Sequence, residues 1–133
     1  METKKRGDNI NHLFGICPYV TAQKLLSGKW RIMILYFLSD EKCRFGGLSK
    51  KMPGVTNAAL TKQLRSLEEA GLVTRSIYPT VPPKTEYQLT ELGKEFTKVL
   101  STIETFGTTY IEWMKNNGQI GAPVSEKTDD DGE

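Results

Sequence analysis

Two cysteines and a single histidine are the side chains of this chain best suited to covalent or metal chemistry. Cys17 stands directly before Pro18. Proline suits the first position of a helix, where its missing N–H costs nothing, so Cys17 falls near the N-cap. The unpaired N–H groups and the positive dipole end there would favour a thiolate, the form that reacts with oxidants and electrophiles. A small buried hydrophobe is the plainer role, and the one most unpaired cysteines fill. Cys43 lies between Lys42 and Arg44, whose charges would lower the pKa of a thiol. A Cys17–Cys43 disulfide, within one chain or between two, would be one product of oxidation if the geometry allowed it. His12 has no partners at ligand spacing, and two cysteines make neither a disulfide framework nor a closed zinc site. No metal and no cofactor are therefore expected. The sequence has no glycine-rich phosphate loop, no nucleophile beside a recognisable base and no paired carboxylates in a helical site, so no enzyme is expected either.

A second set of residues suits recognition rather than reaction. Leu60, Leu64 and Leu67 form an i, i+4, i+7 apolar stripe. Ala58, Thr61, Lys62, Arg65 and Glu69 fall on the opposite side, and Asn57 opens the segment. On a helix laid in the DNA major groove, Asn can pair with adenine, Arg with guanine, and Ala or Thr can pack on a thymine methyl. Asn57, Ala58, Thr61, Lys62 and Arg65 are thus the candidate reading set. Lys50 and Lys51 before the helix, and Arg75 and Lys84 after it, could meet phosphate or a groove edge, or only solvent.

Those residues need a scaffold, and the flanking sequence supplies one. Phe45, Leu48 and Met52 at helical spacing predict a short helix stopped by Pro53-Gly54. Thr56 is a good N-cap for the next helix, Gly71 ends it, and Leu72 can pack back on it. Val73 to Tyr78 reads as a strand, Pro79, Pro82 and Pro83 mark a loop, and Glu86 to Leu89 returns as a second strand. Helix, turn, helix and β-wing is the order of a winged helix-turn-helix.

Upstream, a helix is expected from Pro18 to about Ser27, ended by Gly28, and another from Lys29 to Ser39. The second is apolar on nearly every side, so it should bury one face in the core and another against a partner subunit. Downstream, Thr90 would cap a long helix from Glu91. Its apolar positions Leu92, Phe96, Val99, Ile103, Phe106, Tyr110 and Trp113 repeat at alternating spacings of four and three, a heptad seam. Leu100, Ile111 and Met114 widen the stripe. Trp30, Leu35, Phe96, Val99, Ile103, Phe106, Tyr110 and Trp113 are the expected dimer contacts.

At 133 residues the chain fits one domain with a single core. The longest fully apolar run, Ile32 to Leu38, is far too short to span a bilayer. No secretory signal pattern opens the chain, so a cytoplasmic location without membrane contact is expected. The net charge of +2 hides an asymmetry. Glu126, Asp129, Asp130, Asp131 and Glu133 stand against Lys127 alone near the end, leaving a basic body of the kind that suits a phosphate-bearing partner or simply a solvated mixed-charge surface.

Several short motifs occur together in order. They are Cys17-Pro18, Gly28-Lys29-Trp30, Arg44-Phe45, Pro53-Gly54, the run from Leu60 to Leu72, and the run from Tyr78 to Thr90. In that order and spacing the chain resembles the HxlR-type winged-helix transcriptional regulators over about residues 17–93. The resemblance implies a bacterial dimeric DNA-binding regulator joined through its terminal helices. It also implies, for some members, sensing of electrophiles or oxidants through an N-terminal cysteine. The family usually carries a basic or long polar side chain where Ala58 stands and often a longer one at Ala59, and Cys43 occupies a position commonly not Cys.

The expected fold is mainly α with a small antiparallel β-wing, a dimeric winged helix-turn-helix. Residues 1–16 would be a flexible arm, 17–117 the winged-helix domain with terminal dimerisation helices, and 118–133 a disordered acidic tail. The expected function is sequence-specific binding of double-stranded DNA at a near-palindromic operator by a homodimer, with Cys17 as the candidate for a redox or electrophile response and an effector, small molecule or oxidant, that the sequence does not name. The alternative is a winged-helix protein-interaction module without DNA binding, which Ala58 and Ala59 favour by removing long side chains from the reading face.

Overall fold

A computed structural model describes residues 10–118. Residues 1–9 of the expected arm and residues 119–133 of the expected tail lie outside that range. The elements run α1 (Pro18–Leu25), α2 (Arg31–Asp40), β1 (Cys43–Arg44), α3 (Phe45–Lys51), α4 (Asn57–Glu69), β2 (Val73–Tyr78), β3 (Lys84–Leu89) and α5 (Glu91–Asn116). The fold is mostly helical with a small antiparallel sheet.

Pro18 opens α1 behind an extended Cys17. Residues 10–16, placed in the arm by sequence, form turns that fold back on α1: Leu13 N–H donates to the Ile10 carbonyl at 2.9 Å, and Gly15 N–H to Thr21 Oγ1 at 2.8 Å. α2 begins two residues later than its apolar pattern predicts, because Gly28 to Trp30 make a turn first. Its Ile34, Leu35 and Leu38 are buried, while Met33 and Tyr36 face outward. Leu35 is fully buried in the chain's own core, which corrects its expected place in a dimer interface. A helix apolar all round gives no sequence signal for which side turns inward.

The three strands pair in the order β1-β3-β2, all antiparallel. β3 starts at Lys84 rather than Glu86, since Tyr78 pairs with Lys84 and Ile77 with Thr85 across the wing. The two-residue β1 adds Cys43 and Arg44 opposite Tyr87 and Glu86, an edge the sequence does not announce. The core gathers Ile34, Leu35 and Leu38 of α2, Leu48 of α3, Met52, and Leu60, Leu64 and Leu67 of α4 against Leu72, Val73, Tyr87 and Leu89. Each fully buried leucine contributes about 1.5–3 kcal/mol of apolar burial, so the leucine stripe is what holds α4 to the body.

α5 packs its first half against α2 and the core through Phe96, and hydrogen bonds fix its start at one corner. The Thr90 hydroxyl accepts from Gly93 N–H at 2.9 Å, capping the helix, and donates to the Gly71 carbonyl at 2.6 Å. Thr90 N–H donates to the Leu72 carbonyl at 3.0 Å. Gly71 itself has φ +84°, the left-handed turn that ends α4 and that glycine adopts without strain. Beyond this corner α5 exposes Leu92, Val99, Phe106, Tyr110, Ile111 and Trp113. The helix thus presents more apolar surface than the body covers. Among the described residues no helix is long and apolar enough to cross a membrane.

Candidate nucleic-acid interface

α4 is held by both ends and one edge. Thr56, in extended conformation, accepts from Ala59 N–H at 3.0 Å and satisfies one of the unpaired amides of the first turn. At the other end Leu72 N–H donates back to the Leu67 carbonyl at 3.0 Å, closing the turn through Gly71. With Leu60, Leu64 and Leu67 inward, Asn57, Ala58, Lys62 and Arg65 are exposed and Thr61 is half-buried. Four of the five candidate reading residues therefore lie on open surface, and the fifth sits at its margin. Asn57, Ala58 and Thr61 fall in the N-terminal half, the part that reads bases when a recognition helix enters the major groove.

The basic residues around the helix divide into two kinds. Lys50 and Lys84 are exposed. Lys51 is occupied: its ammonium lies 3.7 Å from Glu41 Oε2, donates to Cys43 Sγ at 3.9 Å and sits over the Phe37 ring at 5.5 Å. Arg75, expected to reach DNA from the wing, pairs with Glu68 of α4 at 3.3 Å. It ties β2 to the recognition helix. The wing itself is braced: Tyr78 Oη donates to Glu86 Oε1 at 3.1 Å, and Lys42 approaches the same carboxylate at 3.6 Å. At its tip Thr80 N–H donates to the Tyr78 carbonyl at 2.8 Å and the Thr80 hydroxyl to the Pro82 carbonyl at 2.7 Å.

One connection has no counterpart in the sequence reading. The guanidinium of Arg31, at the start of α2, donates from Nε to Gln63 Oε1 at 2.8 Å, from Nη1 to the Leu25 carbonyl at 2.9 Å, and from Nη2 to Ser66 Oγ at 2.5 Å. Gln63 is the buried polar residue of α4. Burial lowers the Arg31 pKa from its ordinary value. The available signal was Arg31 itself, a charge placed at the head of an apolar helix.

The two cysteines differ. Cys17 is half-buried at the head of α1, and Cys43 is buried in β1. Burial pushes the Cys43 thiol up, with Lys51 opposing and Glu41 reinforcing the shift. This reverses the expectation from Lys42 and Arg44, because desolvation disfavours the thiolate more than nearby cations favour it. Among the described residues no cluster of three or more His, Cys, Asp or Glu could hold a metal.

Residues 25–115 match the family model described as HxlR-like helix-turn-helix. An uncharacterized HTH-type transcriptional regulator of Methanothermobacter thermautotrophicus is 36% identical over 113 residues, covering 85% of this chain and 86% of the relative. The uncharacterized HTH-type transcriptional regulator YdeP of Bacillus subtilis is 40% identical over 111 residues, covering 83% and 87%. Among solved structures, the redox regulator HypR in reduced form superposes with TM-score 0.71 at 33% identity, covering 75% of this chain and 99% of that one. Its oxidised form gives TM-score 0.66 at 36% identity, covering 70% and 96%. With a braced wing, a capped helix whose outer face is open, and a family match that spans all of α2 to β3, the chain belongs to the HxlR-like helix-turn-helix family.

Proposed function

We propose that this chain regulates transcription in the cytoplasm by binding double-stranded DNA as a homodimer. The observation that carries the reading is α4: its leucine edge is sunk in the core while Asn57, Ala58, Lys62 and Arg65 are solvent-exposed. Two such helices about 34 Å apart would meet successive major grooves on one face of a near-palindromic operator. Lys84 on the wing and Lys50 on α3 supply phosphate contacts. The apolar face of α5 supports the dimer, since Phe106 is 68% exposed and Tyr110 and Trp113 lie beside it.

Cys17 is the site proposed for an oxidant or electrophile response. Its place at the head of α1 supports that reading, as does the likeness to a regulator described in reduced and oxidised forms. A signal there would act by changing dimer geometry and so the spacing of the recognition helices. The deciding experiment is selection from a random duplex pool, followed by titration against salt. Enrichment of one sequence family, with affinity falling steeply in salt, is expected. A folded dimer that enriches nothing would leave the protein-interaction reading, which the short Ala58 side chain favours.

A further inference from the structure

We infer that Arg31 is the positioning residue that sets the recognition helix relative to α1, so that the pose of α4 depends on where α1 ends. The inference rests on the reading that α4 enters the major groove. Its basis is the geometry of one side chain. Arg31 belongs to α2, yet its three side-chain hydrogen bonds to described residues all leave α2: one goes to the last residue of α1 and two to α4.

All three acceptors are neutral. The Leu25 carbonyl is one of the unpaired carbonyls at the C-terminal end of α1, where the helix dipole is negative. Among the described residues the guanidinium has no carboxylate partner, and its opposite partial charge is the end of α1. Its planar fork then directs two further N–H groups onto Gln63 and Ser66, which lie one turn apart on α4. Gln63 and Ser66 alternate along the sequence with Lys62 and Arg65, so turning α4 to follow the fork turns the candidate reading face with it. Gly28, in the link between α1 and α2, closes the fork from above. A Cβ there would collide with Gln63 Oε1 and with Arg31 Nε and Cδ. The position thus excludes a side chain because the clamp fills the space.

The arrangement has a consequence for regulation. Cys17 heads the same eight-residue helix whose tail holds the guanidinium. A displacement of α1 must either carry Arg31 along or break its bond to Leu25. The first outcome moves the donors to Gln63 and Ser66, and the second removes the acceptor that orients the same guanidinium.

The test uses the full chain and the duplex enriched from a random pool by the unaltered protein, with a scrambled duplex as control. Arg31→Met removes all donors and keeps the stem. Arg31→Lys keeps the charge and loses the fork, and serves if Arg31→Met fails to fold. Either variant is expected to lose about tenfold in discrimination between the two duplexes, a change of the size of one mismatched base pair. Affinity for the scrambled duplex and the slope against salt should stay as they are, because no phosphate contact is removed. A merely structural loss would lower the folded fraction and weaken both duplexes alike. Gly28→Ala should reproduce the loss, and the double variant Gly28→Ala with Arg31→Lys should be no worse than either alone, since both break one clamp. Full discrimination in Arg31→Lys, or additive losses in the double variant, overturns the inference. If the unaltered protein enriches no duplex, the DNA-binding reading fails and this one fails with it.

Discussion

Two glycines of α5 should respond with opposite sign to the same substitution. A Cβ on Gly93 would overlap the Leu72 carbonyl oxygen and lie 3.1 Å from its carbon and 3.3 Å from Leu89 Cβ. The obstacle is backbone, and that carbonyl already accepts from Thr90 N–H at 3.0 Å. Overpacking of this kind costs about 1–3 kcal/mol, and displacing the carbonyl forfeits a hydrogen bond worth about 0.5–1.5 kcal/mol. The gain in helix propensity from Gly to Ala offsets at most about 1 kcal/mol. Gly93→Ala should therefore destabilise by about 0.5–3.5 kcal/mol. At Gly107 an added Cβ meets nothing within 4 Å, so Gly107→Ala should stabilise by about 0.5–1 kcal/mol. Urea unfolding at one fixed protein concentration reads both. With a slope of roughly 1.5 kcal/mol/M, a loss of about 2 kcal/mol lowers the midpoint by about 1.3 M. A Gly93→Ala midpoint at or above that of the unaltered chain would refute the close approach of α5 to Leu72. A Gly107→Ala loss that vanishes on dilution would instead place a partner's surface against Gly107.

Sedimentation at micromolar concentration should give about 30 kDa, twice the 15.0 kDa chain, and a monomer that still binds DNA tightly would remove α5 as the seam. If Arg65 and Lys84 touch phosphate only, replacing either by Ala should lower the salt slope by roughly 2 per dimer at all sequences, whereas Asn57→Ala should leave the slope and relax base preference by about 1–3 kcal/mol. Peroxide or a quinone should change operator affinity in the unaltered chain but not in Cys17→Ser; an equal response in both would rule that thiol out. Burial raises the Cys43 thiol, so the unfolded chain gives up that proton first and stability should fall as pH climbs from the ordinary thiol range toward the raised value. Cys43→Ala should flatten that limb, and an unchanged pH profile would contradict the assignment.

Local periodicity made much of this fold legible. Leu60, Leu64 and Leu67 sit in the core where their spacing puts them, and Thr56 and Thr90 cap the helices they precede. Each of those signals is written within one turn of helix. The misses share the opposite property. β1 is two residues whose strand character exists only through Tyr87 and Glu86, more than forty positions away. The Arg31 fork reaches residues 32 and 35 positions downstream, and nothing at residue 31 specifies them. Arg75 reads as a wing cation until the fold brings Glu68 beside it. For the candidate site, the exposed edge of α4 was readable from its period, but which cations were already engaged was not. Leu35 marks a further limit, since an evenly apolar helix does not encode its own inward side.

The Thr90 corner also sets an angular tolerance. It ties the start of α5 to the end of α4 through Gly71 and Leu72. α5 has 26 residues, a lever of about 39 Å. A rotation of about 5° at the far end of such a lever corresponds to an arc of about 3.4 Å, which is the rise of one base step. In a dimer joined at the far end of α5, a tilt of about 5° there would carry the Thr90 corner, and the end of α4 beside it, through about one base step. Operator choice would then be sensitive to packing changes at the seam far smaller than any side chain.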